Sequence, residues 1–225
     1  TLNELYWILG DMTFCERAAM LANVCSPENR NIRMMKRLAE INLVKGDYDA
    51  ARKYLRILQK TFVWSRWANR AFDALGKKAS SYDKALLQQY IDKRPYLNTR
   101  DTLRLNDNCH TIMSELMESN PNNNIAVNYM LCSDLLLKDM ETFKHDYDAY
   151  YLKQQNVTYE KLYQEALAIY LAGTKAPPAE WAKYIKRQDV LQRFKLYNEQ
   201  RGNPAFKDTY WYYFDKAEAP KLNNN

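Results

Sequence analysis

Through most of the chain, apolar residues recur at offsets of three and four, the spacing that lines up side chains on one face of an α-helix. The pattern is clearest at 31–62. There Met35, Leu38, Ala39, Ile41 and Asn42 form a mostly apolar stripe, and Arg33, Lys36, Arg37 and Glu40 occupy other faces. Gly46 follows the last periodic residue, where a helix calls for a left-handed C-terminal cap. Asp47 stands where an N-cap opens a second helix, which carries Tyr48, Ala51, Tyr54, Leu55 and Leu58. Two helices joined this tightly run antiparallel and pack on each other. One hairpin cannot bury both stripes, so neighbours of the same kind are required.

The same grammar extends in both directions. Leu2, Leu5, Tyr6, Ile8 and Leu9 lead to Gly10-Asp11, and Phe14, Ala18, Ala19, Leu21 and Ala22 lead on to Pro27. Trp64, Trp67, Ala68, Ala71, Phe72 and Leu75 predict a helix ending at Gly76. Ser80 or Ser81 then caps a helix carrying Tyr82, Ala85, Leu86, Gln89 and Tyr90, which Arg94-Pro95 stops. Residues 95–107 read as a loop or short helix, and 111–119 as helix again. Asn120-Pro121-Asn122-Asn123-Asn124 is a stop-and-restart signal. Beyond it come helices at 125–137 and 143–151, joined at Lys138-Asp139, and a well-patterned helix at 159–171. Pro177-Pro178 opens the next helix, which carries Trp181, Ile185, Val190, Phe194 and Tyr197, and an aromatic last helix spans Phe206 to Phe214. The pattern predicts about ten to twelve helices and no strand.

The run Gly46-Asp47-Tyr48, then Ala51 and Leu55, with the bulky-then-small pair Leu38-Ala39 before it, resembles a tetratricopeptide repeat. Gly10 and Gly46 are 36 residues apart, and Pro27 lies 17 residues after Gly10; the period of that family is about 34. Asn42, Leu58 and Val63 depart from its pattern, so the repeats are irregular. The resemblance implies an all-α fold of stacked antiparallel helical hairpins, a tetratricopeptide-like right-handed α-α superhelix. Such an array makes 1–217 a single helical-repeat domain, with a polar tail at 218–225 expected to be disordered. A wider likeness rests on the Asn120-Pro121-Asn122-Asn123 restart, the helix YEKLYQEALAIYL at 159–171 and the aromatic end. There the chain resembles the soluble C-terminal region of an uncharacterised bacterial polytopic membrane-protein family. That likeness implies a membrane-associated full-length protein, reached through a region absent from this chain, with a cytoplasmic protein as the alternative. The start at Thr1 rather than Met leads to the same expectation of a processed or excised piece.

Composition narrows the function. Five glycines and seven prolines suit long helices. Eighteen tyrosines suit shallow, half-wet cores, since the ring packs while the hydroxyl finds a partner. Net charge is +6, with the signs interspersed and no like-charge block, so nucleic acid is not an expected partner. No run is long and apolar enough to span a membrane. Cys15, Cys25, Cys109 and Cys132 lack metal-site spacing, although a disulfide such as Cys109 to Cys132 stays open. The two histidines, His110 and His145, have no second ligand at helical spacing. Zinc-protease, phosphate-loop, dinucleotide and nucleophile-elbow motifs are missing.

No cofactor and no catalytic set is therefore expected, which leaves a surface. In stacked hairpins the first helix of each unit lines the concave side. That register assigns Arg33, Lys36 and Glu40 of the second unit, with Asn128 of the Asn-rich unit, to a binding face for an extended peptide or an acidic C-terminus. Solvated helix faces would carry the same residues. The expected function is a non-enzymatic protein- or peptide-interaction scaffold. The alternative is a carboxylate-based hydrolase on a helical scaffold, for which Glu165, Asp134 and Asp146 are the inward-facing acids.

Overall fold

A computed structural model describes residues 2–29, 31–76, 79–97 and 108–220. Among them are thirteen α-helices, four short 3-10 turns and no strand, so the fold is all-α. The chain forms two compact units, 1–126 and 127–225, and the division falls inside one helix. The predicted loop or helix at 98–107 and the end of the polar tail at 221–225 lie outside the described residues; 218–220 is irregular.

Unit 1 contains α1 (Leu2–Leu9), α2 (Met12–Val24), α3 (Ile32–Lys45), α4 (Tyr48–Leu58), α5 (Ser65–Ala74), α6 (Ser81–Ile91) and α7 (Cys109–Ser119). It also holds the start of α8 (Asn124–Leu137). The turns take the forms the sequence predicts. Gly10 and Gly46 have φ of 83° and 78°, the left-handed region where an L side chain is strained. Asp11 and Asp47 accept hydrogen bonds from Phe14 N and Ala50 N at 3.1 and 3.0 Å, which caps the helices that follow. Within the unit α1 packs on α2, α3 on α4 and α5 on α6, while α2 also meets α3 and α4 meets α5. Ala39, Leu43, Ala51, Leu55, Leu58, Ala68 and Ala71 share one core.

A short 3-10 turn, Arg94–Tyr96, seals the hairpin turns from outside. Arg94 donates from Nε to the Val44 carbonyl (3.1 Å) and from Nη2 to the Tyr48 hydroxyl (2.9 Å) beside Gly46. The Tyr96 ring lies where a Cβ on Gly10 would sit, 2.2 Å from Cδ1. Both glycines are thus needed for φ, and Gly10 also for space.

The face that α1 turns inward differs from the expected apolar stripe. Leu2 is 66% and Ile8 56% exposed, whereas Asn3 is 3% exposed. The cause is hydrogen bonding. Asn3 donates to the Cys15 carbonyl (2.9 Å) and accepts from Arg37 Nε (3.2 Å), which sets the rotation of the helix. Asn42, counted in the α3 stripe, is buried, and its amide donates to the Leu38 carbonyl at 2.7 Å within its own helix.

Unit 2 comprises the rest of α8, then α9 (Met140–Ala149), α10 (Lys161–Gly173), α11 (Pro178–Tyr184), α12 (Gln188–Glu199) and α13 (Tyr210–Lys216). The predicted single helix after Pro177-Pro178 is two, interrupted at 185–187, where Gln164 Oε1 accepts from the Lys186 (2.6 Å) and Arg187 (3.4 Å) amides. At the α8–α9 turn Lys138 takes the left-handed conformation (φ 59°) that glycine takes in unit 1. Its ammonium then reaches the Phe214 (2.7 Å) and Ala217 carbonyls. Phe143, Tyr147, Tyr151 and Tyr163 form a continuous aromatic cluster. Buried tyrosines find backbone acceptors, as Tyr210 does on Leu135 O (2.8 Å) and Tyr151 on Thr158 O (2.7 Å). The aromatic last helix belongs to the core: Trp211 Nε1 donates to Glu165 O at 2.8 Å. No helix among the described residues is long and apolar enough to cross a membrane.

Candidate functional site

Three of the four residues assigned to the binding face, Arg33, Lys36 and Glu40, lie on α3 in unit 1. Their spacing of three and four puts them on neighbouring positions of one helical surface. Glu40 is buried and fully engaged. Lys36 forms an ion pair with it, Arg37 Nη1 donates to Oε2 at 2.8 Å, and the Tyr90 hydroxyl donates to Oε1 at 3.4 Å. Arg37 also donates to Glu4 Oε2 at 2.6 Å, and exposed Arg33 meets Oε1 of the same carboxylate at 3.2 Å. Little of the Glu40 charge is left for a partner.

What these charges are set among could not be inferred from α3 alone. The Lys36 ammonium sits between two indoles, 4.8 Å from the Trp64 ring centre and 4.7 Å from that of Trp67. The Arg37 guanidinium lies 4.1 Å over Trp7, and Lys93 approaches the other groups at 4.9 Å from Trp7 and 5.8 Å from Tyr96. Cations over aromatic faces gain about 0.5–2 kcal/mol each, more when water is excluded. Three tryptophans, Trp7 of α1, Trp64 at the N-cap of α5 and Trp67 within α5, and three cations from α3 and the turn after α6, therefore make one surface. All three indoles are half-buried and pack on the unit 1 core.

Burial draws the Lys93 ammonium below its ordinary pKa, and the Arg37 charge adds to the effect. Desolvation, then the Glu40 charge, pushes the Tyr90 hydroxyl up. Beneath the cluster the Cys15 thiol is pushed up to about 12, chiefly by burial. Trp7, Trp64, Trp67, Arg37 and Lys93 were not among the assigned residues. Trp64 and Trp67, three apart at the start of α5, read as part of one apolar helix stripe from sequence, and Trp7 lies outside the α1 stripe. Only the fold shows them meeting the α3 cations.

Asn128 lies in unit 2, where its side-chain oxygen accepts from the Tyr163 hydroxyl at 2.7 Å. The three acids of the hydrolase alternative are also in unit 2, and all are buried. Glu165 Oε2 accepts from Tyr210 N at 2.7 Å. Asp134 on α8 and Asp146 on α9 are near neighbours whose charges interact, and Asp146 Oδ1 also meets His145 Nδ1 at 2.9 Å. Burial, then the Asp146 and Asp139 charges, raises Asp134 to about 7. None of the three acids lines the cavities described for this unit. All four cysteines are thiols rather than disulfides.

A family model described as a family of unknown function (DUF6057) matches residues 1–217. No curated protein and no solved structure matches the chain.

Proposed function

We propose that this chain, which belongs to the family of unknown function DUF6057, is a non-enzymatic module that binds an extended peptide segment of a partner protein. The binding surface is the aromatic-cationic face of unit 1, carried on a tetratricopeptide-like stack of hairpins. One observation supports this reading above the rest: the Lys36 ammonium clasped by Trp64 and Trp67 beside the Trp7–Arg37 pair. Half-buried indoles held by cations offer a rigid apolar contact with little side-chain entropy left to lose, and Trp and Arg are enriched where interfaces are strongest. The left-handed glycine turns at a 36-residue spacing and the buried Ala39 and Ala51 support the repeat-like stack. A membrane region elsewhere in the full-length protein, implied by the likeness of the second half, completes the proposal. Fractionation of the full-length protein tests that part.

For the surface itself, peptides are selected from a display library on the intact chain and their affinities measured against variants. Lys36→Met keeps the aliphatic stem between the indoles and removes the charge. It is expected to weaken the selected peptides by about tenfold or more, as is Trp67→Ala. Arg33→Glu, at an exposed edge, is expected to weaken them less. Selected peptides that bind both of the first two variants unchanged, with helix content and urea midpoint preserved, would remove this face from the proposal.

A further inference from the structure

We infer that unit 2 carries a separate small-molecule site, a cavity at the C-terminal end of α10 that takes an organic ammonium ion with an apolar body. The cavity measures about 510 Å³, within the range of ligand pockets. Its inner wall includes Phe194, Tyr197 and Trp211, all buried, with Phe194 and Tyr197 centred 5.1 and 5.8 Å from the Trp211 ring. Such a wall accommodates a ring or short hydrocarbon.

The charge of the ligand follows from what the polar residues are already doing. Arg201 binds Asp215 through two parallel hydrogen bonds, Nε to Oδ2 at 2.7 Å and Nη2 to Oδ1 at 2.8 Å, and the Tyr197 hydroxyl donates to Asp215 as well. Arg201 and Asp215 thus neutralise each other. Glu141, also lining the cavity, is exposed and accepts one hydrogen bond, from the Tyr170 hydroxyl at 3.3 Å. A carboxylate has about four acceptor sites, so Glu141 retains capacity for an ammonium donor.

Backbone electrostatics point the same way. Ala172, Gly173 and Thr174 at the end of α10, and Tyr197 and Asn198 in the last turn of α12, line the cavity. Helix C-termini carry partial negative charge and favour cations. The α10 end is itself capped, Lys175 N and Ala176 N donating to the Ala172 (3.2 Å) and Leu171 (2.9 Å) carbonyls, which leaves the α12 end as the one that acts. The start of α9 also lies here, but Asp139 caps it, accepting from Thr142 N at 3.0 Å. An anion would meet Glu141 and the C-terminus of α12, with Arg201 already paired.

Gly173 provides the blocking variant. A Cβ there meets nothing within 4 Å, and its backbone is ordinary helix, so a larger residue grows into open space. The test follows the intact chain by amide and indole NMR as 2-phenylethylammonium, neutral 2-phenylethanol and phenylacetate are added in turn. Saturable shifts are expected at the Gly173 and Thr174 amides and the Trp211 indole. The ammonium compound should bind about tenfold or more tightly than the alcohol. Glu141→Gln, on an exposed position, should bring the ammonium compound to the level of the alcohol. Gly173→Leu should abolish the shifts while the rest of the spectrum persists. No saturation below about 10 mM, equal or tighter binding of the alcohol or phenylacetate, or shifts that persist in Gly173→Leu would each overturn the assignment. Peptide binding by unit 1 is measured at other residues, so either result leaves that proposal to its own experiment.

Discussion

Asp134 is an acid whose environment changes its ordinary chemistry. It is buried on α8, one carboxylate oxygen has no hydrogen-bond partner, and the other groups facing it include the acids Asp146 and Asp139. Burial first, and the neighbouring negative charges second, raise it to about 7. A carboxyl whose folded pKa lies above its unfolded value binds its proton more tightly in the native state. The stability it contributes is complete below about 4, its unfolded value, and disappears as pH rises through about 7. Asp134→Asn removes this dependence. At pH 8 the variant should be more stable than the parent by on the order of 1 kcal/mol, after allowance for partial solvent screening. At pH 4 the two should converge. Urea midpoints at the two pH values make the comparison; a parent that is the more stable of the pair at pH 8 would contradict it. From sequence, Asp134 and Asp146 were recognisable only as acids in patterned helices. Their proximity depends on how α8 and α9 turn toward each other.

At the scale of elements, the same turn recurs at Gly10-Asp11 and Gly46-Asp47, and it was legible because its chemistry is local. A glycine with positive φ followed by a capping aspartate needs no distant partner to be recognised. What could not be read locally is the Arg94–Tyr96 turn that seals two of these hairpins from 46 and more residues away. Gly10→Ala should therefore destabilise unit 1 twice over, through strain at φ 83° and through collision with the Tyr96 ring. The expected loss is about 2–3 kcal/mol. Adding Tyr96→Ala should not restore the parent, because the backbone strain of about 1 kcal/mol stays and the ring's packing is lost. A Gly10→Ala midpoint equal to that of the parent in urea would show that the turn is not held as described. The rotation of α1 makes the complementary point. Apolar periodicity favoured Leu2, Leu5 and Ile8, yet the hydrogen bonds of Asn3 to Cys15 and Arg37 determine which face is buried.

Across the whole molecule, two helical units are each closed by their own core, and the thiols report on that closure. Cys15 is fully buried in unit 1 with its thiol pushed up to about 12, whereas Cys25 at the end of α2 is exposed. Thiolate is the reactive form, so exposure and pKa act together. In a native chain an aromatic disulfide reagent should label Cys25 rapidly and Cys15 only as the α1–α2 pair opens. In a Cys25→Ser background, added urea should accelerate Cys15 labelling in step with unfolding. Labelling of Cys15 as fast as Cys25 without denaturant would mean that α1 and α2 do not enclose it.

From the sequence alone came the all-α class, nearly every helix and turn, and the α3 positions Arg33, Lys36 and Glu40, since helix periodicity, caps and left-handed glycines are short-range. Tertiary structure alone determined which charges remain available. It buried Glu40 among Lys36, Arg37 and Tyr90, set Lys36 between Trp64 and Trp67, and paired Arg201 with Asp215 while leaving Glu141 open. The reason is physical. A side chain's charge, burial and hydrogen-bonding capacity depend on neighbours from its own helix and on groups from other helices, such as Trp64, Trp67 and Tyr90 around α3, which come within a few ångströms only when the helices pack.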